Sequence, residues 1–347
     1  MIKRVKSLKG VNLTKRLLAE WEEQRCIILS FPHENTDWAK DGRLKESLTP
    51  FIRMAQAIAY NQLVYIVCKN KKTIESLFCS KRNLIFVEIE TDDTWIRDYG
   101  LLTIKEDNQT KFLDFTFDGW GNKFSSKLDN SVNKKLHNSK LLGDIPMETI
   151  DYVLEGGSIE SDGSGTILTT SKCLCNPNRN GGLDKQTIEE KLNKYLGAKR
   201  VLWLDFGYLA GDDTDSHIDT LARFIDKETI AYIKCDNKRD EHYEELKNME
   251  NQLKSFVDEN NNPYKLVALP MCEAKYDSNG NRLPATYANF LITNHSILYP
   301  TYSDKNDKIV AKIFQNLYPN KEIIPINSLK LIEQGGSLHC SSIQVGK

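Results

Sequence analysis

Short apolar runs rich in β-branched and aromatic residues alternate along the chain with stretches whose apolar residues recur every three to four positions. That alternation predicts strands joined by amphipathic helices. CIILSF, QLVYIVCKN and NLIFVEIE read as strands. A helix is expected to open at Thr49-Pro50, as N-cap and first helical residue, and a shorter one around Thr73 to Phe78. VLEGGSIESDGSGTILTT reads as a hairpin turning at Asp162-Gly163. A further helix is expected from Thr187, where Thr187 and Glu190 suit a capping box, Ile188, Leu192 and Tyr195 share a face, and Gly197 ends it. RVLWLDFG, LARFID and TIAYIKC follow as strands, the last two joined at Asp226-Lys227. A polar helix from about Asp240 to Val257 leads to YKLVALP, to the adjacent strands NFLITN and SILYP, and to a helix near Lys305 to Leu317. KEIIPI and the terminal GGSLHCSSIQV complete the pattern, while LTKRLLAEWEEQR near the N-terminus reads as a charged helix. The expected class is α/β, with more strand pairs than a doubly wound parallel sheet needs.

The 347 residues include 47 Lys+Arg and 48 Asp+Glu, a formal net charge of -1. At roughly 150 residues per domain the length suggests about two domains, yet no Pro-, Gly- or Ser-rich linker marks a boundary. The nearly cancelling charges leave no whole-chain footprint for nucleic acid or an anionic membrane, so a charged ligand must be read by a local cluster. No run of ~18 apolar residues exists to span a membrane, and the basic MIKRVKSLKG lacks the apolar core of a signal peptide. Cysteines at 26, 68, 79, 173, 175, 235, 272 and 340 contain no CxxC pair. They read as a reduced, cytoplasmic set, several of them small buried hydrophobes inside strands.

Five segments could carry chemistry, and each has a plain structural alternative. TDDTWIRDYG follows an apolar strand and puts Trp95, Arg97 and Asp98 in a polar loop; alone it reads as a solvated turn with an Arg–Asp pair. In EGGSIESDGSG, Glu155 ends a strand before Gly156-Gly157, a pair that lets backbone approach a neighbour closely or simply forms a bulge. In GDDTDSHIDTLARF, His217 and Asp219 are two apart and share a strand face while Ile218 points to the core, which sets a titrating imidazole beside a carboxylate. The acidic run there fails the EF-hand pattern, because Ile218 stands where the sixth-position Gly belongs. Asn289 in LPATYANFLITN sits at a strand start, where Asn either caps a turn or contacts a ligand. Cys340, beside His339 in EQGGSLHC, is a better nucleophile candidate than the cysteines within apolar strands.

The combination says more than any one segment. Carboxylates grip a guanidinium through bidentate charge-assisted hydrogen bonds, a thiolate adds to its central carbon, and an imidazole delivers a proton to the departing ammonia. An acyl-transfer site of the papain kind needs Cys and His, but not two or three carboxylates around the electrophile. Asp98, Glu155, His217, Asn289 and Cys340 are separated by 57, 62, 72 and 51 residues. A repeat of such length, closed into a ring of about five units, would bring one polar group per unit to the centre.

On these residues the sequence resembles the agmatine deiminases of the guanidine-modifying (pentein) superfamily, which also holds arginine deiminases and a bacterial peptidylarginine deiminase. Matching segments run in order from AEWEEQRCIILSFPHENTDW through TWIRDYG, EGGSIESDGSGTILTT, CLCNPNRN, DDTDSHIDTLARF and LPATYANFLITN to GGSLHC, almost the whole chain. The resemblance implies a five-fold pseudosymmetric α/β propeller and one catalytic domain over residues 1–347, built of about five ββαβ-like repeats. It further implies hydrolysis of agmatine to N-carbamoylputrescine and ammonia on the way to putrescine, with no metal or organic cofactor. By motif position, Cys340 resembles the nucleophile of a covalent thiouronium intermediate and His217 the general acid and base. Asp98 and Asp219 fall where the family grips the guanidinium, and Glu155 where a carboxylate supports the histidine. Trp95 resembles the aromatic that lines the substrate slot, and Asn289, in a family motif, is carried as a further substrate-site residue. The chain departs from the family at Leu101, Ser216 and Ser337, where Pro, Gly and Gly are frequent; these bear on loop shape and remove no chemical group.

Alternatives stay open at this point. The same chemistry on free or peptidyl arginine would differ at the distal end, where a carboxylate calls for Arg or Lys and an amine for acids or an aromatic face. Asp37, Trp38, Asp212 and Asp213 are the candidate amine partners. A metal-binding module of Cys173, Cys175, His217 and Asp219, or a non-catalytic binding homologue, would belong to another class. A preformed Cys340–His217 ion pair and activation of the thiol by a bound cation are both open, as is the subunit count, a homo-oligomer included.

Overall fold

A computed structural model of the chain describes residues 15–347. β1 (Lys15–Leu17), β2 (Gln24–Ser30), β3 (Leu63–Cys68) and β4 (Leu84–Glu88) come first, followed by β5 (Leu102–Glu106), β6 (Gln109–Thr116) and β7 (Met147–Val153). Next are β8 (Ile159–Ser161), β9 (Thr166–Thr170), β10 (Arg200–Leu204), β11 (Ala222–Phe224), β12 (Thr229–Lys234) and β13 (Lys265–Pro270). β14 (Leu291–Ile292), β15 (Ser296–Thr301), β16 (Glu322–Asn327) and β17 (Ser342–Gly346) complete the strands. Among the described residues they form five sheets, ordered β1-β5-β6-β7, β10-β9-β8, β11-β12-β13, β14-β15-β16 and β17-β2-β3-β4. The class is mixed α/β, as the hydrophobic pattern predicts.

Every sheet repeats one plan. An antiparallel pair (β5–β6, β8–β9, β11–β12, β14–β15, β17–β2) is followed by a parallel one (β6–β7, β9–β10, β12–β13, β15–β16, β2–β3). A parallel partner needs a crossover, and the helices Leu44–Ala59, Val132–Asn138, Lys185–Leu196, Tyr243–Leu253 and Asp307–Leu317 lie in the five crossovers. In the last sheet the antiparallel strand arrives from the far end of the sequence, with Ile343 opposite Ile28. β2 and β3 are buried along almost their whole length, the continuous apolar run expected of strands covered on both faces. Cys26 and Cys68 are part of that packing, and burial pushes both thiols up to about 12.

Several element boundaries differ from the pattern reading. The helix predicted from Thr49-Pro50 begins at Leu44, so Pro50 lies inside it; Ser47, Pro50, Phe51, Met54, Ala55 and Ile58 form its buried face, and burying the ring offsets the missing N–H. Asn70 caps the shorter helix, and Asp184, not Thr187, caps the later one, each accepting the Thr backbone N–H three residues on. Gly197, at φ 70°, ends the latter as expected. The segment read as a charged helix contains β1, paired antiparallel with β5; its Leu13 and Thr14 lie outside the described residues. The hairpin at Asp162-Gly163 joins β8 and β9, but the preceding Val153 ends β7 in a different sheet, separated by a short 3-10 turn Gly156–Ser158. Among the described residues no helix is long and apolar enough to cross a membrane.

The plan positions five candidate groups equivalently. Asp98 precedes β5, Glu155 precedes β8, His217 and Asp219 precede β11, Asn289 precedes β14 and Cys340 precedes β17. Each sheet therefore delivers its polar group in the segment just ahead of its first hairpin strand.

Candidate active site

The Asp98 and His217–Asp219 segments are short helical turns, not the polar loop and strand that the sequence pattern suggests. Asp98 lies in the four-residue helix Ile96–Tyr99, and His217 is the residue before a 3-10 turn, Ile218–Thr220, that contains Asp219. The correction leaves their convergence intact, because Ile218 still points into the core. Arg97 does not pair with Asp98: its guanidinium turns away to the His339 carbonyl at 3.2 Å and Gln344 Oε1 at 2.7 Å.

A cleft of about 280 Å³ is lined by Trp95, Asp98, His217 and Cys340, with Trp120 and Asp213 in its walls. Behind this layer His217 Nε2 lies 3.2 Å from Glu155 Oε2, and Nδ1 lies 3.5 Å from Asp98 Oδ1. Glu155 is itself gripped by Arg179 Nε at 2.8 and 2.9 Å. Asp98 accepts from Gly157 N–H at 2.9 Å and from Trp120 Nε1–H at 2.9 Å. Gly157 is required by this crowding, since a Cβ there would stand 2.7 Å from both Asp98 Oδ1 and His217 Nδ1. Gly336 plays the same part in the last motif, where a Cβ would come within 2.5 Å of the Trp95 ring.

Cys340 Sγ is 3.1 Å from Asn289 Nδ2 and 3.7 Å from Asp219 Oδ2. Asp219 Oδ2 also takes the Asn289 amide at 3.2 Å and His339 Nδ1 at 2.7 Å. Two buried atoms lack a hydrogen-bond partner here, His217 Nδ1 and Asp219 Oδ1. A guanidinium, planar and rich in N–H donors, would satisfy the carboxylate oxygen.

The electrostatics define a resting state. Burial, reinforced by Asp219 and Asp98, holds the Cys340 thiol well above the usual range. Burial would lower the His217 imidazole, but Asp98, Cys173 and Glu155 outweigh it and hold it well above its ordinary value. Burial pushes Asp98 up to about 6, against the pull of His217. Glu155 and Asp219 go the other way: burial would raise them, but His217 with Arg179 lowers the first and His339 the second. Both directions disfavour a preformed thiolate at Cys340 and favour the charged form of His217.

Of the candidate amine partners, Asp37 and Asp213 line the cleft. Trp38 lies behind Trp95, ring centroids 5.4 Å apart, and Asp212 is spent on the Thr214 and Ser216 backbone N–H groups. The proposed Cys173, Cys175, His217 and Asp219 metal set does not assemble. Glu155, Cys173 and His217 do place donor atoms within 4.8 Å of one another, as do Glu20, Glu160 and His339. Arginines already claim those carboxylates: Arg179 on Glu155, and Arg223 on Glu20 and Glu160.

Sequence reasoning missed Trp120, Arg179 and Glu20. Trp120 carried a signal in its flanking glycines: it sits at φ 58° between Gly119 and Gly121, a left-handed conformation that a bulky aromatic adopts only under constraint. Arg179 and Glu20 fall within matched segments but meet their partners only in three dimensions.

A buried cysteine, a histidine and paired carboxylates at an acidic cleft suit a hydrolase of C–N bonds. The model of the Porphyromonas-type peptidyl-arginine deiminases matches residues 16–345, and the chain belongs to that family. It is 41% identical to a C. jejuni agmatine deiminase carrying a Cys-to-Ser substitution and solved with substrate bound, with 99% of each chain covered and a TM-score of 0.91. An Enterococcus faecalis agmatine deiminase is 27% identical over 96% of each chain, with a TM-score of 0.88. A Marinomonas sp. protein bearing agmatine deiminase as a provisional name is 30% identical over 95% of this chain and 94% of its own. At 12% identity the fold alone is shared with a dimethylarginine dimethylaminohydrolase, TM-score 0.51.

Proposed function

We propose that this chain is an agmatine deiminase, hydrolysing agmatine to N-carbamoylputrescine and ammonia through a covalent thiouronium on Cys340. The observation that carries agmatine over arginine is the charge of the cleft. Asp37, Asp93, Asp98, Asp213, Asp277 and Glu333 line it. Arg282 is the one Lys or Arg among its described lining residues, and it is taken up by Asp240 at 2.8 Å and Glu241 at 3.1 Å. An amine is welcomed at such a mouth; a free carboxylate finds no unengaged cation.

In this reading the guanidinium settles between Asp98 and Asp219 with its methylene chain along Trp95. Its charge offsets the two carboxylates that hold the thiol up, so Cys340 sheds its proton to solvent only when substrate is present. Sγ then adds to the central carbon, and the His217 imidazolium, backed by Glu155, gives its proton to the departing nitrogen. Ammonia leaves and the carbon–sulfur bond remains. His217, now neutral, takes a proton from water whose oxygen adds to the same carbon; collapse then breaks the carbon–sulfur bond, the hydroxyl proton passes to the departing sulfur to restore the thiol, and the urea is released. Asn289 Nδ2 donates to the sulfur whenever it is thiolate.

The recurring strand plan supports a five-fold pseudosymmetric propeller, with the sheets as blades of one catalytic domain and the five polar segments at its centre. The eight free cysteines suit a reducing, cytoplasmic setting. The test is kcat/KM for agmatine, arginine and a peptidyl-arginine. Agmatine is expected to exceed the others by at least about tenfold; equal or faster turnover of arginine overturns the substrate assignment.

A further inference from the structure

Two cavities meet at the wall that carries the nucleophile. Asp98 and Cys340 line the cleft, whereas their chain neighbours Arg97 and His339 line a second cavity of about 40 Å³, together with Glu20, Glu160 and Gln344. The reaction drawn above makes no use of this second cavity, yet its polar groups reach the Asp219 carboxylate. His339, 2% exposed, places Nδ1 2.7 Å from Asp219 Oδ2 and Nε2 2.7 Å from Glu20 Oε2. An ionised carboxylate only accepts, so each of these short contacts must contain a proton. Asp219 is held below the ordinary carboxylate range, with the His339 hydrogen bond the foremost effect opposing its burial, which makes the carboxylate the accepting side of that contact. Glu20 is fixed in turn by Arg223 and by the Ile292 N–H at 2.6 Å, while Arg223 also bonds Glu160 and the Phe290 carbonyl at 2.7 Å.

We infer that His339 is a positioning residue for the guanidine reaction and that Glu20 orients it from the rear cavity. The imidazole and the Asn289 amide occupy Asp219 Oδ2 and leave Oδ1, buried and unpartnered, as the acceptor still available to a cation. Without the Nδ1 donor, Asp219 is free to rotate about its terminal torsion or to take up a proton in its buried setting, and either change removes the aligned negative charge. The backbone N–H of His339 is held separately by Asn289 Oδ1 at 3.0 Å, so exchanging the side chain leaves the turn beneath Cys340 anchored. This inference rests on the guanidine-hydrolase reading of the site.

Glutamine and asparagine separate the two contacts of the ring. Gln at 339 reaches the Nε2 position and loses the donor to Asp219; Asn reaches the Nδ1 position and loses Glu20. The experiment is kcat and KM for agmatine with wild type, His339→Gln, His339→Asn and Glu20→Gln, each with a melting temperature. His339→Gln is expected to lower kcat/KM about 100-fold with KM raised about tenfold, and His339→Asn to recover about tenfold of that loss. Equal losses in the two variants, or His339→Gln within about threefold of wild type, overturn the inference. If His339→Gln does not fold, Glu20→Gln carries the test, assayed well below a melting temperature that falls because buried Arg223 loses one of its carboxylates: a raised KM is expected, and an unchanged KM overturns it. If wild type does not turn over agmatine, the substrate assignment fails, and the same ratios on whichever of arginine or peptidyl-arginine is consumed decide the role of His339.

Discussion

Asn289 Nδ2 lies 3.1 Å from Cys340 Sγ, while its Oδ1 accepts the backbone N–H groups of His339 at 3.0 Å and Cys340 at 3.3 Å. One amide therefore holds the nucleophile's backbone and offers its sulfur a donor. Asn289→Ala removes a hydrogen bond to a group that becomes charged, worth about 1.5–3 kcal/mol, so kcat/KM is expected to fall about 10- to 100-fold. Steady-state ammonia release measures it. Asn289→Asp should lose more, because it sets another carboxylate beside a thiol already held up by Asp219 and Asp98.

The free enzyme should alkylate slowly near neutrality. Because burial and the two carboxylates hold the Cys340 thiol well above its usual range, its thiolate fraction below that pKa grows about tenfold per pH unit. Iodoacetamide labelling of Cys340, followed by peptide mass spectrometry from pH 7 to 9, is expected to rise steeply without a plateau. A flat profile would mean a preformed thiolate–imidazolium pair.

Arg179 links Glu155, the Thr214 carbonyl and Asp215, tying the His217 support to the loop that precedes His217. Arg179→Met would strip the buried Glu155 carboxylate of its arginine and leave it His217 alone, a loss of up to about 3–5 kcal/mol. Urea denaturation at neutral pH should show the drop as a lower midpoint with an unchanged slope.

Asp215 and Ser216 are consecutive residues in the left-handed region, at φ 67° and 68°. Ser216→Gly would relieve about 1–2 kcal/mol of that strain and return about 0.4–1 kcal/mol through the looser unfolded chain. A gain of about 0.5–1 kcal/mol is expected, read as a melting temperature about 1 °C higher.

What the sequence reveals and what it hides follow different physics. Cys340, His217, Asp98 and Asp219 were legible because a reaction at a guanidinium demands their chemical groups, and each stands in a local motif. Their local geometry was misread: a two-residue spacing suits a strand face, but His217 and Asp219 sit at a 3-10 turn, where burial of Ile218 gives the same outcome by another route. Strands such as β2 and β3 were visible from apolar runs alone, whereas the start of the helix Leu44–Ala59 was not, because Pro50 gave a stronger local start signal than Leu44. The charged stretch containing Glu20 looked helical until strand pairing with β5 claimed residues 15–17. Glu20, His339 and Asp219 form one chain of contacts across 319 and 120 residues. No spacing rule reaches that far.

The central claim is that Cys340 bonds to the guanidine carbon during turnover. Peptide mass spectrometry of an acid-quenched reaction with agmatine tests it directly. The account predicts an amidine-bearing adduct on Cys340 in wild type, absent in Cys340→Ala together with ammonia release. An adduct on Cys173 or Cys175 instead, or a Cys340→Ala enzyme that keeps its rate, would contradict it.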